Sequence, residues 1–252
     1  MGKERGDVKI TVYYGSIHKK RGNTFVIIDE FAEGAREDGA EVETVFLAEK
    51  KINNCLACLK CWTKTPGRCV LQDDMTELVE KFMASDLVVM ATPVYNHNVT
   101  GILKTFLDRM TPVIDPHLVK MSNGYTGHIK RYDRYPKLGV IATGGFPEQK
   151  CCEFVSMYFN RLAVDLYSEV IFEIYKGQAI LLKMAENEFL GPMVDQYRKS
   201  VRKAAGEVVG NMKISEATAG ELDQPFIPED MYIEQANKYW DSRIARYNEE
   251  KK

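Results

Sequence analysis

Four cysteines, Cys55, Cys58, Cys61 and Cys69, stand within fifteen residues, and thiolates clustered in this way do metal or redox chemistry. The run Cys55-Leu56-Ala57-Cys58-Leu59-Lys60-Cys61 makes two consecutive CxxC turns that bring three sulfurs onto one small loop, and a seven-residue arm returns the fourth. That arrangement suits an iron-sulfur cubane. Two other readings stay open: a four-cysteine zinc site, for which CxxCxxC is an unusual spacing, and a set of free thiols that report oxidation. Trp62 and Pro66-Gly67 fit a shielding loop around a cluster and fit a plain loop equally. Cys151 and Cys152, at the start of a helix, show no ligand pattern and read as packing residues.

Three other segments could hold a phosphate and a flat ring. Gly15-Ser16-Ile17-His18-Lys19-Lys20-Arg21-Gly22-Asn23-Thr24 joins a strand to a helix N-terminus. Backbone N–H groups there, with the Ser16, Asn23 and Thr24 side chains, would cradle a phosphate. Neither GxGxxG nor GxxxxGK[ST] is present, which argues against a dinucleotide-binding crossover or an NTPase loop. In Thr92-Pro93-Val94-Tyr95-Asn96, Pro93 fixes the backbone and Tyr95 offers a flat partner for an isoalloxazine ring. In Thr143-Gly144-Gly145-Phe146, the two glycines would let backbone N–H groups approach the polar edge of a ring. Taken singly, each segment also reads as an ordinary polar loop.

The elements that must position these loops follow from periodicity. Residues 8–14 are β-branched and aromatic and end in Gly15-Ser16, which predicts a strand. Apolar positions at helical spacing predict a helix over 24–38, and alternation predicts a second strand over 42–47. Further helices are expected at 73–85, 99–111 and 148–163, and strands at 87–92, 137–143 and 170–175. Strands alternating with helices point to a doubly wound five-stranded parallel sheet, whose ligands sit at the carboxyl ends of the strands. Lys104, Asp108 and Arg109 share helical spacing and read as structural or interfacial, and the loop histidines His97, His117 and His128 carry no pattern. The aromatic-rich connection from Tyr125 to Tyr135 is long enough to cover a ligand or a neighbouring subunit. A helix over 193–212 and an amphipathic segment over 232–247 complete the chain.

In combination these motifs resemble the flavodoxin-like NADPH-dependent FMN reductases, and within them the iron-sulfur flavoproteins. The resemblance covers about residues 8–175. It rests on Gly15-Ser16 with Gly22-Asn23-Thr24, on Asp73-Asp74-Met75, on Pro93-Val94-Tyr95 with Gly101-Ile102-Leu103-Lys104-Thr105-Phe106-Leu107-Asp108-Arg109, and on Thr143-Gly144-Gly145. It implies an α/β flavodoxin-like domain over 8–213, with the cysteine loop 52–72 inserted, and a helical C-terminal extension over 214–252. By the same resemblance Ser16, Asn23 and Thr24 bind the FMN phosphate. Pro93, Val94, Tyr95 and Asn96 with Thr143, Gly144, Gly145 and Phe146 surround the ring, and Cys55, Cys58, Cys61 and Cys69 hold a [4Fe-4S] cluster. The family's phosphate loop commonly carries an arginine two residues after the serine. His18 stands there in a loop one residue longer, so His18 or Arg21 is expected to replace it.

The function so implied is an FMN-dependent oxidoreductase that takes electrons from NAD(P)H as co-substrate, or from reduced ferredoxin. The alternatives are a non-enzymatic flavodoxin-type carrier, disfavoured by near-neutral charge, and a cysteine-based redox sensor. Its donor and acceptor are small molecules or redox proteins, and family habit suggests a homodimer or homotetramer. A net charge of -2 with interleaved signs gives no footprint for nucleic acid, and no apolar run is long enough to span a membrane. The opening Met-Gly-Lys-Glu-Arg-Gly-Asp lacks the apolar stretch of a signal peptide, and Gly6 stands where a myristoylation pattern requires Ser or Thr. A reducing, cytoplasmic setting is the expectation.

Overall fold

The structure is a computed structural model and describes residues 8–121 and 124–250. The N-terminal heptapeptide read above for targeting patterns lies outside the described residues, as do the last two residues of the C-terminal extension.

Strands β1 (Lys9–Tyr14), β2 (Glu41–Phe46) and β3 (Leu87–Pro93) are joined by helix α1 (Asn23–Glu37), the four-residue helix α2 (Lys60–Thr63) and helix α3 (Met75–Ala84). Helix α4 (Gly101–Asp108) then leads into strands β4 (Ile114–Lys120), β5 (Thr126–Lys130) and β6 (Lys137–Thr143). Helix α5 (Glu153–Asp165), strand β7 (Val170–Lys176) and helices α6 (Gly191–Asn211), α7 (Glu216–Asp223) and α8 (Glu229–Glu249) follow. The main sheet has the order β2-β1-β3-β6-β7 with every pair parallel, the doubly wound arrangement expected from the alternation of elements.

Period-two alternation in the central strands feeds two cores. Ile10, Val12 and Tyr14 of β1 face α1, α6 and residues of the C-terminal segment, while Tyr13 faces the layer of α3, α4 and α5. There the Tyr13 ring stacks on Phe106 at 4.6 Å, and its hydroxyl donates to the Leu78 carbonyl at 2.7 Å. Each fully buried side chain of this size contributes about 1.5 to 3 kcal/mol, so β1 and β3, buried along their length, anchor the sheet beneath the loops of interest.

Two differences from the sequence reading bear on the site. Helix α4 is shorter than expected, because Thr100 caps it by accepting the Leu103 N–H at 3.3 Å and the chain turns at Arg109. The stretch before β6, for which the sequence reading named no element, forms the antiparallel hairpin β4–β5, with an irregularity between Ile114 and Leu118 that accommodates Pro116. Its follow-on residue Tyr132 faces a cavity beside the cysteine loop rather than the cleft at the ends of β3 and β6. The C-terminal helices also pack onto the domain: Leu222 of α7, Phe226 and Ile227 of the turn after it and Tyr232 in the first turn of α8 are buried in the first core. Among the described residues no helix is long and apolar enough to cross a membrane.

Candidate functional site

The carboxyl ends of β1, β3 and β6 lie side by side, and the three loops singled out by sequence meet there. After β1, Ser16 is buried and its hydroxyl accepts the His18 N–H at 3.2 Å, which closes a tight turn. Residues 19–21 form one 3-10 turn, and Gly22 precedes α1 with no side-chain cap; the Phe25 N–H donates to the Gly22 carbonyl at 3.2 Å, which leaves the Asn23 and Thr24 amides as the open donors of the helix start. Asn23 is half-buried and Thr24 buried, while His18 and Arg21 are exposed. Beneath Gly22 lies the Tyr14 hydroxyl, buried and without a hydrogen-bond partner among the described residues. Burial pushes that hydroxyl's pKa up, against the pull of the nearby Ser16 and Thr24 side chains. An uncapped helix start above an orphaned hydroxyl is a cradle that a phosphate group fits.

The ring loops are tied to this cradle by hydrogen bonds between distant residues. The Thr24 and Thr143 hydroxyls bond at 2.7 Å, both buried, and Thr100 donates to the Gly15 carbonyl at 2.6 Å. Val94 N–H donates to the Thr143 carbonyl at 2.8 Å, so the loops after β3 and β6 leave the sheet together. Tyr95 and Asn98 exchange backbone hydrogen bonds around Asn96 and His97, whose φ values of 48° and 63° make a tight left-handed turn. That turn lays the His97 ring over Phe146 at 5.9 Å, nearly parallel. A cleft of about 330 Å³ results, lined by Val94, Asn96, His97, Gly144, Gly145, Phe146 and Cys151. Pro93, Tyr95 and Thr143 lie beside this lining.

His97, read as a loop histidine, Cys151, read as a packing residue, and Tyr232 were not assigned to the site by sequence. His97 reaches the cleft only through the turn geometry. Cys151 packs where a Cβ on Gly144 would otherwise fall, and its thiol is 3.7 Å from that of Cys152, whose hydrogen bond favours the Cys151 thiolate. Tyr232 donates to the Gly145 carbonyl at 2.7 Å from the C-terminal segment, which braces the ring loop from behind. No local signal marks any of the three, since each depends on segments far apart in sequence.

The cysteine loop sits on the neighbouring side, between β2 and α3. All four thiols are free; Cys55 and Cys58 are exposed, and Cys61 and Cys69 are half-buried. Ala57 N–H donates to Cys55 Sγ at 3.4 Å, and Ala57 and Leu59 take left-handed φ values of 48° and 53°. Burial raises the Cys61 pKa, and the nearby Cys69, Cys55 and Cys58 thiols raise it further. Among the described residues, no three His, Cys, Asp or Glu side chains are drawn together closely enough to hold a single ion. The donor set itself, four thiols with a backbone N–H already turned toward one sulfur, has the chemistry of an iron-sulfur centre.

The neck of this loop is stapled. Asp74 accepts the Lys51 N–H at 2.7 Å, and Asp73 accepts the Asn53 backbone and side-chain N–H groups at 3.0 Å each. Arg109 does not sit on the surface with Lys104 and Asp108, which pair with each other across one helical turn. Its side chain is buried and forms a two-pronged ion pair with Asp73, at 2.7 and 3.0 Å. Burial works to raise the Asp73 carboxyl, but Arg109 and the Asn53 N–H groups outweigh it and hold the pKa down to about 2. The motif Asp73-Asp74-Met75 therefore closes the loop and starts α3.

Comparison with known proteins agrees with this architecture. Residues 8–126 match the sequence profile of the NADPH-dependent FMN reductases. An iron-sulfur flavoprotein of Archaeoglobus fulgidus is 38% identical over 144 residues, 57% of this chain and 57% of that protein. One from Methanosarcina thermophila is 39% identical over 102 residues, 40% of this chain and 52% of that protein. The matched segment thus spans about half the length of these relatives. Among solved structures, an FMN-dependent NADH-azoreductase of Bacillus anthracis in complex with FMN has a TM-score of 0.56 at 15% identity, covering 81% of this chain and 99% of that one. An NAD(P)H:quinone oxidoreductase of Methanothermobacter marburgensis has a TM-score of 0.55 at 17% identity, covering 83% and 98%. At such identities the structures attest the fold alone, a flavodoxin-like α/β sheet. Profile and sequence relatives point the same way: residues 8–126 are similar to the NADPH-dependent FMN reductases, and the relatives matched over about half their length are iron-sulfur flavoproteins.

Proposed function

We propose that the chain is an FMN-dependent oxidoreductase that takes electrons from NAD(P)H or a reduced ferredoxin, passes them to a small-molecule or redox-protein acceptor, and holds a [4Fe-4S] cluster on its cysteine loop. The observation that carries this reading is the convergence of an uncapped helix start, an orphaned buried hydroxyl and an open cleft at the ends of three parallel strands.

Ser16, Asn23, Thr24 and the first amides of α1 hold the phosphate, with His18 and Arg21 at the rim to meet its charge. Val94, Asn96, Gly144, Gly145 and Phe146 seat the ring, flanked by Pro93, Tyr95 and Thr143. Flavin supplies hydride and single-electron chemistry and a cluster supplies one-electron steps, so the protein's task is to bind, orient and shield. The Thr24–Thr143 bond keeps phosphate and ring loops in register, and the stacked His97 and Phe146 close one wall. Cys55, Cys58, Cys61 and Cys69 supply the cluster ligands.

Anaerobic purification, followed by assays of released FMN, iron and acid-labile sulfide on one sample and of NAD(P)H oxidation with a quinone or azo-dye acceptor, tests the reading. FMN with about four iron and four sulfide per chain, and turnover, is the expected result. FMN and turnover without iron after anaerobic reconstitution would remove the cluster. The exposed Cys55 and Cys58 would then favour a thiol-based redox sensor. Absence of flavin binding would overturn the proposal.

A further inference from the structure

We propose that Arg109 is the positioning residue of the cysteine loop: one guanidinium closes the loop at both ends and donates a fixed hydrogen bond to the Cys69 sulfur. Through that bond it sets the redox poise of the centre the loop holds. The second half of this inference rests on the iron-sulfur reading; the first half does not.

Arg109 is the residue after α4, and its side chain is 1% exposed. Its Nη1 donates to the Asn53 carbonyl at 2.6 Å and to Asp73 Oδ2 at 2.7 Å, and its Nη2 to Asp73 Oδ1 at 3.0 Å and to Cys69 Sγ at 3.3 Å. Asn53 lies two residues before the first cysteine and Asp73 four after the last, so a single planar group bridges the two stems of the loop. The bidentate pair with Asp73 fixes the guanidinium plane, and that plane aims the remaining N–H at Cys69. Lysine cannot reproduce this, because an ammonium carries no rigid fork. Of the four thiols, Cys69 is the one whose sulfur accepts a hydrogen bond from a charged side chain among the described interactions.

A cation and a hydrogen bond at a ligand sulfur favour the more negative, reduced state of an iron-sulfur centre and so raise its potential. Cys69 and Arg109 also line a cavity of about 410 Å³ with Arg68, Glu80, Met75 and Tyr132; since the Asp73 carboxylate offsets much of the Arg109 charge, the directed N–H is what acts on that sulfur.

The test compares the native protein with Arg109→Lys and with the double variant Asp73→Asn/Arg109→Gln. The double variant keeps a hydrogen-bonded pair at the neck without a buried unpaired charge. Dye-mediated redox titration followed by electron paramagnetic resonance reads the poise, and hydrogen–deuterium exchange across residues 53–73 of iron-free protein reads loop closure. The expected result is an iron content equal to native in the double variant, with its one-electron equilibrium against a reference dye shifted toward oxidised by about tenfold, equivalent to about 59 mV. Arg109→Lys should show faster exchange in the loop. Equal potentials in two fully loaded proteins overturn the proposal, since a merely structural residue would leave the poise unmoved. Unchanged exchange in Arg109→Lys overturns it as well. If the native protein takes up no iron, the cluster reading fails, and exchange alone decides whether Arg109 closes the loop.

Discussion

Replacing Gly22 by alanine should destabilise the protein by about 1 to 3 kcal/mol, and replacing Tyr14 by phenylalanine in the same chain should remove most of that loss. The backbone at Gly22, φ −76° and ψ 150°, is open to any residue, so no conformational penalty enters. The cost is steric: a Cβ there would fall inside the radius of the Tyr14 hydroxyl oxygen, with the Lys19 carbonyl oxygen at 3.3 Å and Tyr14 Cζ at 3.4 Å as its next neighbours. Once the oxygen is gone, those two contacts are tight but adjustable. Tyr14→Phe alone should lie within about 1 kcal/mol of native, because the hydroxyl it deletes is buried and unpartnered. The double-mutant cycle should therefore show a favourable coupling of about 1 to 2 kcal/mol. Urea unfolding of the four flavin-free proteins, followed by circular dichroism and compared at equal slope, measures it. If Gly22→Ala costs the same in both backgrounds to within about 0.5 kcal/mol, the hydroxyl is not what forbids a side chain at the start of α1, and the account of the phosphate cradle fails with it.

Two further outcomes follow from buried groups around the site. Burial pulls the Lys176 pKa down to about 8 despite Asp223, while the ammonium donates to the Gln224 carbonyl and lies 4.4 and 4.1 Å from the Tyr197 and Phe226 ring centroids. The unfolded chain holds this proton more tightly, so stability relative to Lys176→Met should rise by up to about 3 kcal/mol as pH climbs from about 8 toward 10.4, and be lost again as pH falls through 8. Urea unfolding of both proteins from pH 7 to 10 reads it, and a flat difference would mean that the rings and the carbonyl offset the desolvation. Thr143→Val leaves the buried Thr24 hydroxyl without its partner and should cost about 1 to 3 kcal/mol with weaker FMN retention; Thr143→Ser should restore both in unfolding and fluorescence titrations, and weakness persisting in the serine variant would contradict this account.

The parallel sheet was legible because its strands are apolar blocks bounded by turn residues and its helices carry a 3.6-residue period. β1, β3 and β6 lie where those signals put them, and the loops at their ends met as expected. The hairpin β4–β5 was not legible. It is mostly exposed, contains Pro116 and has no sustained alternation, so local pattern could not separate it from an irregular connection.

The types of residue at each strand end, the spacing of the four cysteines and the alternation of elements are one-dimensional properties, and they were enough to determine the fold class and the loops that meet at the strand ends. The partners of those segments are properties of the tertiary structure. Arg109 read as structural or interfacial because helical spacing groups it with Lys104 and Asp108; only the turn that ends α4 shows its partners to be Asp73 and Cys69. His97, Cys151 and Tyr232 likewise enter the cleft or brace it through contacts between segments distant in sequence, as with Tyr232 and Gly145. Local propensity acts over a few residues, whereas burial and hydrogen-bond satisfaction act between whichever residues the closed fold brings together. For that reason the loops could be found in the sequence, and the clamps that hold them could be found only in the folded chain.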